Sequence, residues 1–313
     1  MSTYLVTGGA GFIGSNIVGE LVRRGETVRV LDNLATGHIE NLAPLKQKIA
    51  WHEADIRNLE SIRPDFEGVD YVIHLAAIPS VPRSVADPLT SNSVNIDGTL
   101  NVLLAARDAS AKRLVFAASS AAYGDDPVLP RVESQGPRPL SPYALTKLAG
   151  EYYCRIFTRV YGLETVALRY FNIFGPRQSP DSPYSGVLSL FIAAYRGGQT
   201  PTIFGDGEQS RDFTYVENAV DATLRACTAP DAAGTVINVG TGERHTLNEM
   251  IASLNGIFGA QVTPRYEAPR TGDVQHSHAD ISLARKLLGY EPKVRFEEGL
   301  KKTVDWFRST AAS

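Results

Sequence analysis

Three side chains in this 313-residue sequence could together move a proton at a substrate hydroxyl: Ser119, Tyr143 and Lys147. Tyr143 and Lys147 stand four apart in Ser141-Pro142-Tyr143-Ala144-Leu145-Thr146-Lys147. On a helix that spacing puts both on one face, and Pro142 suits the first turn. A free tyrosine has a pKa of about 10, so only about 0.1% is phenolate near pH 7, and bringing it to neutrality takes roughly 4 kcal/mol. One cation at about 4 Å, in a site of effective dielectric about 20, supplies roughly that much. Lys147 is such a cation. Tyr143 would then exchange a proton with the substrate hydroxyl, and Ser119, in Ala118-Ser119-Ser120, would hydrogen-bond the same oxygen. Y-x-x-x-K alone is a common spacing that two unrelated surface residues also produce. The assignment needs a partner that can take a hydride.

That partner is written into the start of the chain. Tyr4–Thr7 reads as a strand and runs into Thr7-Gly8-Gly9-Ala10-Gly11-Phe12-Ile13-Gly14. Gly8 permits a tight turn, Gly11 lets backbone approach a pyrophosphate, and Gly14 lets a helix pack on the strand. The helix start at Phe12 and Ile13 offers free N–H groups and partial positive charge to phosphate. The next strand ends at Asp32, 18 residues beyond Gly14. A carboxylate there accepts from adenosine ribose hydroxyls and repels a 2′-phosphate, so NAD is expected rather than NADP. Asn33, then Asp55 and Ile56 after a third strand, fall near adenine. Leu75, Ala76 and Ala77 after a fourth fall near the pyrophosphate. Asn95 and Tyr170 complete the cofactor candidates. A bound, positively charged nicotinamide would assist Lys147 in acidifying Tyr143.

The elements that must hold these residues alternate. Strands are expected at Tyr4–Thr7, Thr27–Leu31, Val69–Leu75, Arg113–Ala118, Glu164–Leu168 and Thr235–Val239, with helices at Ile13–Arg24, Leu100–Asp108 and Tyr143–Tyr161. This is an α/β pattern: a Rossmann-type doubly wound parallel sheet covered on both faces. After about residue 172, Pro and Gly crowd into a smaller mixed α/β lobe. The expected division is an NAD-binding domain of residues 1–172, with 213–240 returning to it, and a substrate lobe of 173–212 and 241–313. Hydrophobic residues make up 43% and charged residues 21%, which excludes a disordered chain. A net charge of −3 gives no nucleic-acid footprint. No apolar run reaches the roughly 18 residues of a membrane span. Two cysteines form no disulfide framework, and the first residues lack a secretory pattern, so a cytoplasmic location is expected.

The glycine loop with Asp32, Ser119, Tyr143 and Lys147 resembles the extended short-chain dehydrogenase/reductases over nearly the whole chain. AASSAAYGDDPVLP, SPYALTK, LRYFNIFGPRQ, GDGEQSRDFTYVEN and PRTGDVQHSHAD narrow the resemblance to UDP-sugar 4-epimerases, of the UDP-galactose and UDP-N-acetylglucosamine types. The resemblance implies that Asn172 contacts the diphosphate and that Arg211 and Arg270 clamp phosphates, a task that forked guanidinium groups suit. It further implies that Asp273 binds the uridine ribose and that Thr202–Gly205, with Ile203 and Phe204, lines the uracil. Val187 marks the edge of the uridine site, where this chain lacks the Pro-basic pair of many relatives. By the same resemblance, Ser80, Arg83 and Ser120 are expected to bind the sugar. A homodimer packed through the Lys147 helix is also implied.

Relatives sort by the residues beside the serine. Dehydratases of this kind carry an acidic pair, and decarboxylases and 5-epimerases one Glu. Ser120-Ala121-Ala122-Tyr123-Gly124 has neither, which leaves chemistry at C4: oxidation to a 4-keto sugar and reduction on the opposite face. Ser277 falls where hexose-restricted epimerases resemble one another in a bulky Tyr, so a 2-acetamido group is expected to fit. UDP-GlcNAc/UDP-GalNAc interconversion follows, with UDP-Glc/UDP-Gal as a further pair. Arg83 fits an acetamido sugar or a uronate carboxylate equally, which keeps UDP-glucuronate and UDP-GalNAcA open. A reductase or dehydratase is a weaker reading, and a non-catalytic NAD and sugar-nucleotide sensor a remote one. His276 and His278 read as polar loop residues rather than metal ligands.

Overall fold

The computed structural model describes residues 1–179, 186–269 and 274–310. Seven strands form one sheet: β1 (Thr3–Thr7), β2 (Thr27–Asp32), β3 (Ala50–Glu53), β4 (Tyr71–His74), β5 (Arg113–Ser119), β6 (Glu164–Tyr170) and β7 (Thr235–Val239). Their order is β7-β6-β5-β4-β1-β2-β3, and every neighbouring pair is parallel. The order reverses direction between β1 and β4, which opens a crevice at the carboxyl edge where such sheets bind ligands.

The central strands are largely apolar because both faces are covered, whereas the edge strand β3 has no buried residue. Successive residues nevertheless serve different layers: Leu5 and Leu114 join one core, Val6 and Val115 the other. The first core is built with α2 (Leu59–Phe66), α3 (Gly98–Asp108) and α4 (Pro142–Ile156). The second takes Ile17, Val18 and Leu21 of α1 (Phe12–Arg23) and Ala219 and Ala222 of α6 (Val216–Thr228). It continues without a break into α5 (Val187–Arg196), α7 (Leu247–Phe258) and α8 (Phe296–Thr310), through Ile192, Leu254 and Phe307. The smaller lobe therefore shares its core with the sheet.

The expected elements sit within a few residues of those observed, and β7 coincides. One differs: Tyr143–Tyr161 is not a single α-helix. α4 ends at Ile156, and Phe157–Tyr161 forms a wider π turn that closes at Gly162 (φ 74°). The extra residue in that turn lets Phe157 stay buried while the chain reverses into β6.

Candidate functional site

The glycine loop lies in the crevice. Gly8 has φ 72°, and a Cβ there would stand 2.6 Å from the Ala76 amide nitrogen at the end of β4. At Gly14 a Cβ would stand 2.2 Å from the Gly8 carbonyl oxygen. These two glycines are therefore required by protein contacts alone. Gly11 differs: the single heavy atom near its Cβ position is the Gly8 oxygen, at 3.2 Å. The missing side chain there opens space toward the groove. Gly11 caps α1 without a side-chain hydrogen bond, and the first turn holds no acidic residue. The amino end of α1 is thus an uncompensated set of N–H donors, suited to a pyrophosphate.

Asp32 closes the second side. It is 7% exposed, its Oδ2 accepts from Ala10 N–H (3.0 Å) and its Oδ1 from Leu34 N–H (2.9 Å). Burial raises its pKa and these backbone donors oppose the rise. Each carboxylate oxygen keeps acceptor capacity for a ribose hydroxyl. Asn33 donates to Asp55 Oδ2 (3.0 Å), and Arg57 also grips Asp55, holding that carboxyl down at about 2. Ile56 is buried against Gly98. Asn95, 2% exposed, accepts from Ile78 N–H (2.8 Å) and donates to Ile78 C=O (3.2 Å) and Thr146 Oγ1 (3.0 Å). The Tyr170 hydroxyl lies 2.7 Å from Thr223 Oγ1 on α6, leaving its backbone at the sheet edge. An open glycine cradle, an uncapped helix start and a buried carboxylate after β2 fit NAD.

The three candidates for proton transfer lie at the carboxyl end of β5 and on the helix packed against it. Ser141 caps α4 by accepting from Ala144 N–H (3.1 Å), with Pro142 in the first turn. Gly150 lets α4 lie close on β5, because a Cβ there would be 2.4 Å from Phe116 Cζ. That approach puts Lys147 Nζ 5.0 Å from the Phe116 ring centroid and 2.8 Å from the Ala117 carbonyl oxygen, which accepts from it. Lys147 is 5% exposed, and burial brings its pKa down to about 8. The ammonium form still dominates at pH 7. Tyr143 is partly buried; burial raises its pKa, and a hydrogen bond from Ser119 pulls it back. Ser119 Oγ also accepts from Ala121 N–H (3.2 Å), starting the turn Ser120–Tyr123. The protein groups by themselves do not acidify Tyr143: they hold a neutral phenol one helical turn from a buried cation.

The substrate candidates fall on several separate elements. Ser80 caps the short helix Val81–Ala86, accepting from Arg83 N–H (3.1 Å). Asn172, just past β6, adopts φ 35°, a left-handed conformation that Asn tolerates. Phe204 and Arg211 line a cavity of about 820 Å³ together with Tyr266, Glu267 and Gln275. Arg211 Nη1 donates to the Ser210 and Gln275 carbonyls (3.0 Å each). Ile203 is fully buried, so its side chain serves the core beside that cavity. Val187 begins α5. Ser277 is partly exposed, and its N–H donates to the Ser210 carbonyl (3.0 Å). His276 Nδ1 meets Ser210 Oγ (2.9 Å) and His278 Nε2 meets the Gly242 carbonyl (2.9 Å). Arg270 and Asp273 lie outside the described residues.

Sequence reasoning missed two groups. His74 ends β4, fully buried, with Nδ1 2.7 Å from Thr7 Oγ1 and Nε2 3.0 Å from Thr99 Oγ1. Burial, then the Lys147 charge, brings its pKa down to about 3, so it joins the glycine loop to the next layer as a neutral ring. A lone His in the apolar run Tyr71-Val72-Ile73-His74 was the available signal. Ser84 Oγ accepts from Tyr143 N–H (3.0 Å), a contact across 59 positions that no local pattern announces.

The family model described as "NAD dependent epimerase/dehydratase family" matches residues 4–240. The solved UDP-N-acetylglucosamine 4-epimerase from Methanobrevibacter ruminantium M1, in complex with UDP-N-acetylmuramic acid, is 41% identical with a TM-score of 0.94, covering 99% of each chain. UDP-glucose 4-epimerase of Mycolicibacterium smegmatis is 39% identical over 310 residues, 97% of this chain and 98% of that protein. UDP-glucuronate 4-epimerase of Thermodesulfobacterium geofontis is 35% identical over 316 residues, 98% and 96% of the two. The cradle, the carboxylate and the Ser-Tyr-Lys cluster agree with that match, and the chain belongs to the NAD-dependent epimerase/dehydratase family.

Proposed function

We propose that this chain epimerises UDP-hexoses at C4 through a transient 4-keto sugar, with UDP-GlcNAc/UDP-GalNAc as the preferred pair and UDP-Glc/UDP-Gal as a second. The observation that carries it is the grouping of Ser119, Tyr143 and Lys147 at the carboxyl end of β5, one strand from the strand-order reversal, beside a turn, Ser120–Tyr123, without a carboxylate. The nearest acidic side chain in order along the chain that is partly buried, Asp126, is tied to Arg131 (3.5 Å) and accepts from Val128 N–H (2.9 Å). Among the described residues, the turn after Ser119 therefore offers no carboxylate for proton abstraction at C5, which favours chemistry at C4.

In this scheme Gly8, Gly11, Gly14 and Asp32 hold NAD, which supplies the hydride acceptor and donor for C4. Tyr143 acts in its phenolate form: the phenolate takes the proton from the C4 hydroxyl as hydride leaves C4, and the phenol returns it when hydride comes back. Ser119 hydrogen-bonds that oxygen and the phenol, keeping the proton path short. Lys147 holds positive charge beneath the site in a buried, low-dielectric layer. Asn172 and Arg211, with Arg270 and Asp273, grip the UDP moiety while the flat 4-keto sugar turns over. We further propose that residues 173–212 and 241–313 form the nucleotide-sugar lobe over an NAD domain of 1–172 and 213–240. The reaction ends with no net redox change, so NAD should stay bound and the protein should turn over without added cofactor. Stoichiometric NADH release would point to a dehydrogenase instead.

The small Ser277 supports the acetamido preference. Ser277→Tyr should lose UDP-GlcNAc turnover by 10-fold or more, by the size of steric discrimination in a pocket, while keeping UDP-Glc turnover. Equal loss of both would remove the gate. The uronate reading rests on Arg83, and UDP-glucuronate belongs in the same assay panel. Exposed Leu145, Tyr152, Ile156 and Val160 form an apolar stripe along α4 and its π turn. Burying that stripe against a second copy favours a homodimer, and light scattering at one chain's mass would exclude it. No described helix is long and apolar enough to cross a membrane.

A further inference from the structure

The backbone of Tyr143 is held on its N–H by the strap of residues 78–86 and on its carbonyl by Thr146 of the same helix. Its N–H is the first that α4 carries, since Pro142 has none, and it is one of the donors that a helix start leaves without an intrahelical partner. Ser141 satisfies the next one, at Ala144, from within the helix. The Tyr143 N–H is satisfied by Ser84 Oγ (3.0 Å), from a different element. Ser84 is fully buried, and its hydroxyl proton goes to the Val81 carbonyl (2.7 Å), so the oxygen is aimed at α4. On the other side, the Tyr143 carbonyl accepts from Thr146 Oγ1 (2.8 Å). Thr146 Oγ1 in turn accepts from Asn95, which also holds both backbone groups of Ile78. Ile78 and Ser84 bracket Ser80 and Arg83, which are candidates for sugar contact.

We propose that Ser84, with Thr146 on the carbonyl side, positions Tyr143 for proton transfer and ties that position to the sugar-facing strap of residues 78–86. This rests on the C4-epimerase reading above. Neither residue touches the reacting atoms in this scheme; both act through the Tyr143 backbone. Misplacing a reacting group by about 1 Å can cost about 100-fold in rate, and a phenol at the start of a helix moves with the first turn that carries it.

The test uses the full-length protein with its retained NAD. Ser84→Ala should lower kcat about 30- to 100-fold with KM and NAD content near wild type, the signature of lost orientation rather than lost binding. Ser84→Thr, which keeps the acceptor oxygen, should recover most of the rate. Thr158→Val is the matched control: Thr158 Oγ1 accepts from Thr165 N–H (2.9 Å) at the opposite edge of the sheet, and its loss should leave kcat within about threefold, as for a change distant from the reacting groups. Equal kcat losses in Ser84→Ala and Thr158→Val, or a rise in KM alone, would overturn the proposal. Should Ser84→Ala not fold, Thr146→Val decides, and unchanged kcat there overturns it. Amide exchange at Tyr143 reads the clamp without turnover: it should be slow in the wild type and faster in Ser84→Ala. An amide that is already fast in the wild type overturns the clamp even if the epimerase reading fails, whereas an absence of wild-type turnover bears on that reading alone.

Discussion

Tyr143→Phe should lower kcat by about 10³- to 10⁴-fold, at the upper end of what removing a positioned acid-base group costs. KM for the UDP-sugar and the content of retained NAD should stay near wild type. Phe keeps the ring and removes one oxygen, so the loss isolates the proton path. The protein groups leave the phenol neutral: burial raises its pKa and Ser119 only partly offsets this. Activity should therefore climb as pH rises through the apparent pKa of the Tyr143 site with its ligands bound, and that limb should vanish in the variant. Steady-state kinetics across pH checks both points. A variant retaining a tenth of wild-type kcat would assign the proton to another group.

Lys147→Met should move stability and activity in opposite directions. The buried ammonium has its pKa lowered from 10.5 to about 8. The unfolded chain binds that proton more tightly, so stability rises with pH between about 8 and about 10.5, and the full cost of the charge is present below pH 8. A shift of about 2.5 units corresponds to roughly 3 kcal/mol. Met retains the stem but leaves the Ala117 carbonyl without this donor, which returns about 1 kcal/mol. The net expectation is a Tm higher by a few degrees at pH 7, with the gap closing toward pH 10.5 as the wild-type Lys loses its proton. Turnover should fall about 100-fold or more, since the charge beside Tyr143 is gone. Calorimetry at pH 7 and 10, paired with kcat, measures both. A lower Tm for the variant at pH 7 would contradict the burial cost assigned to Lys147, a trade of stability for activity that such sites commonly show.

Much of the cofactor side was legible in the linear chain because its determinants are local. The turn at Gly8, the helix start at Gly11 and Asp32 at the end of β2 belong to one strand-helix-strand unit, whose backbone geometry dictates the residue types in order. Tyr143 and Lys147 were legible for the same reason, since a helix brings positions four apart together. The alternation of strands and helices likewise announced a parallel sheet with two covered faces.

Tertiary structure alone decided how those pieces act on one another. Strand order set β4 beside β1 and brought Ala76 against Gly8. The approach of α4 to β5, permitted at Gly150, put the Lys147 ammonium over Phe116 and lowered its pKa. His74 between Thr7 and Thr99, Ser84 on the Tyr143 amide, and the buried pair of Arg169 and Glu151 (2.7 Å) join residues 18 to 67 positions apart. Such partnerships leave no periodic trace, because which donor meets which acceptor depends on how whole elements dock. Burial then sets the charge each group can carry. The chain on its own names the candidate groups; the packing decides their distances and their protons.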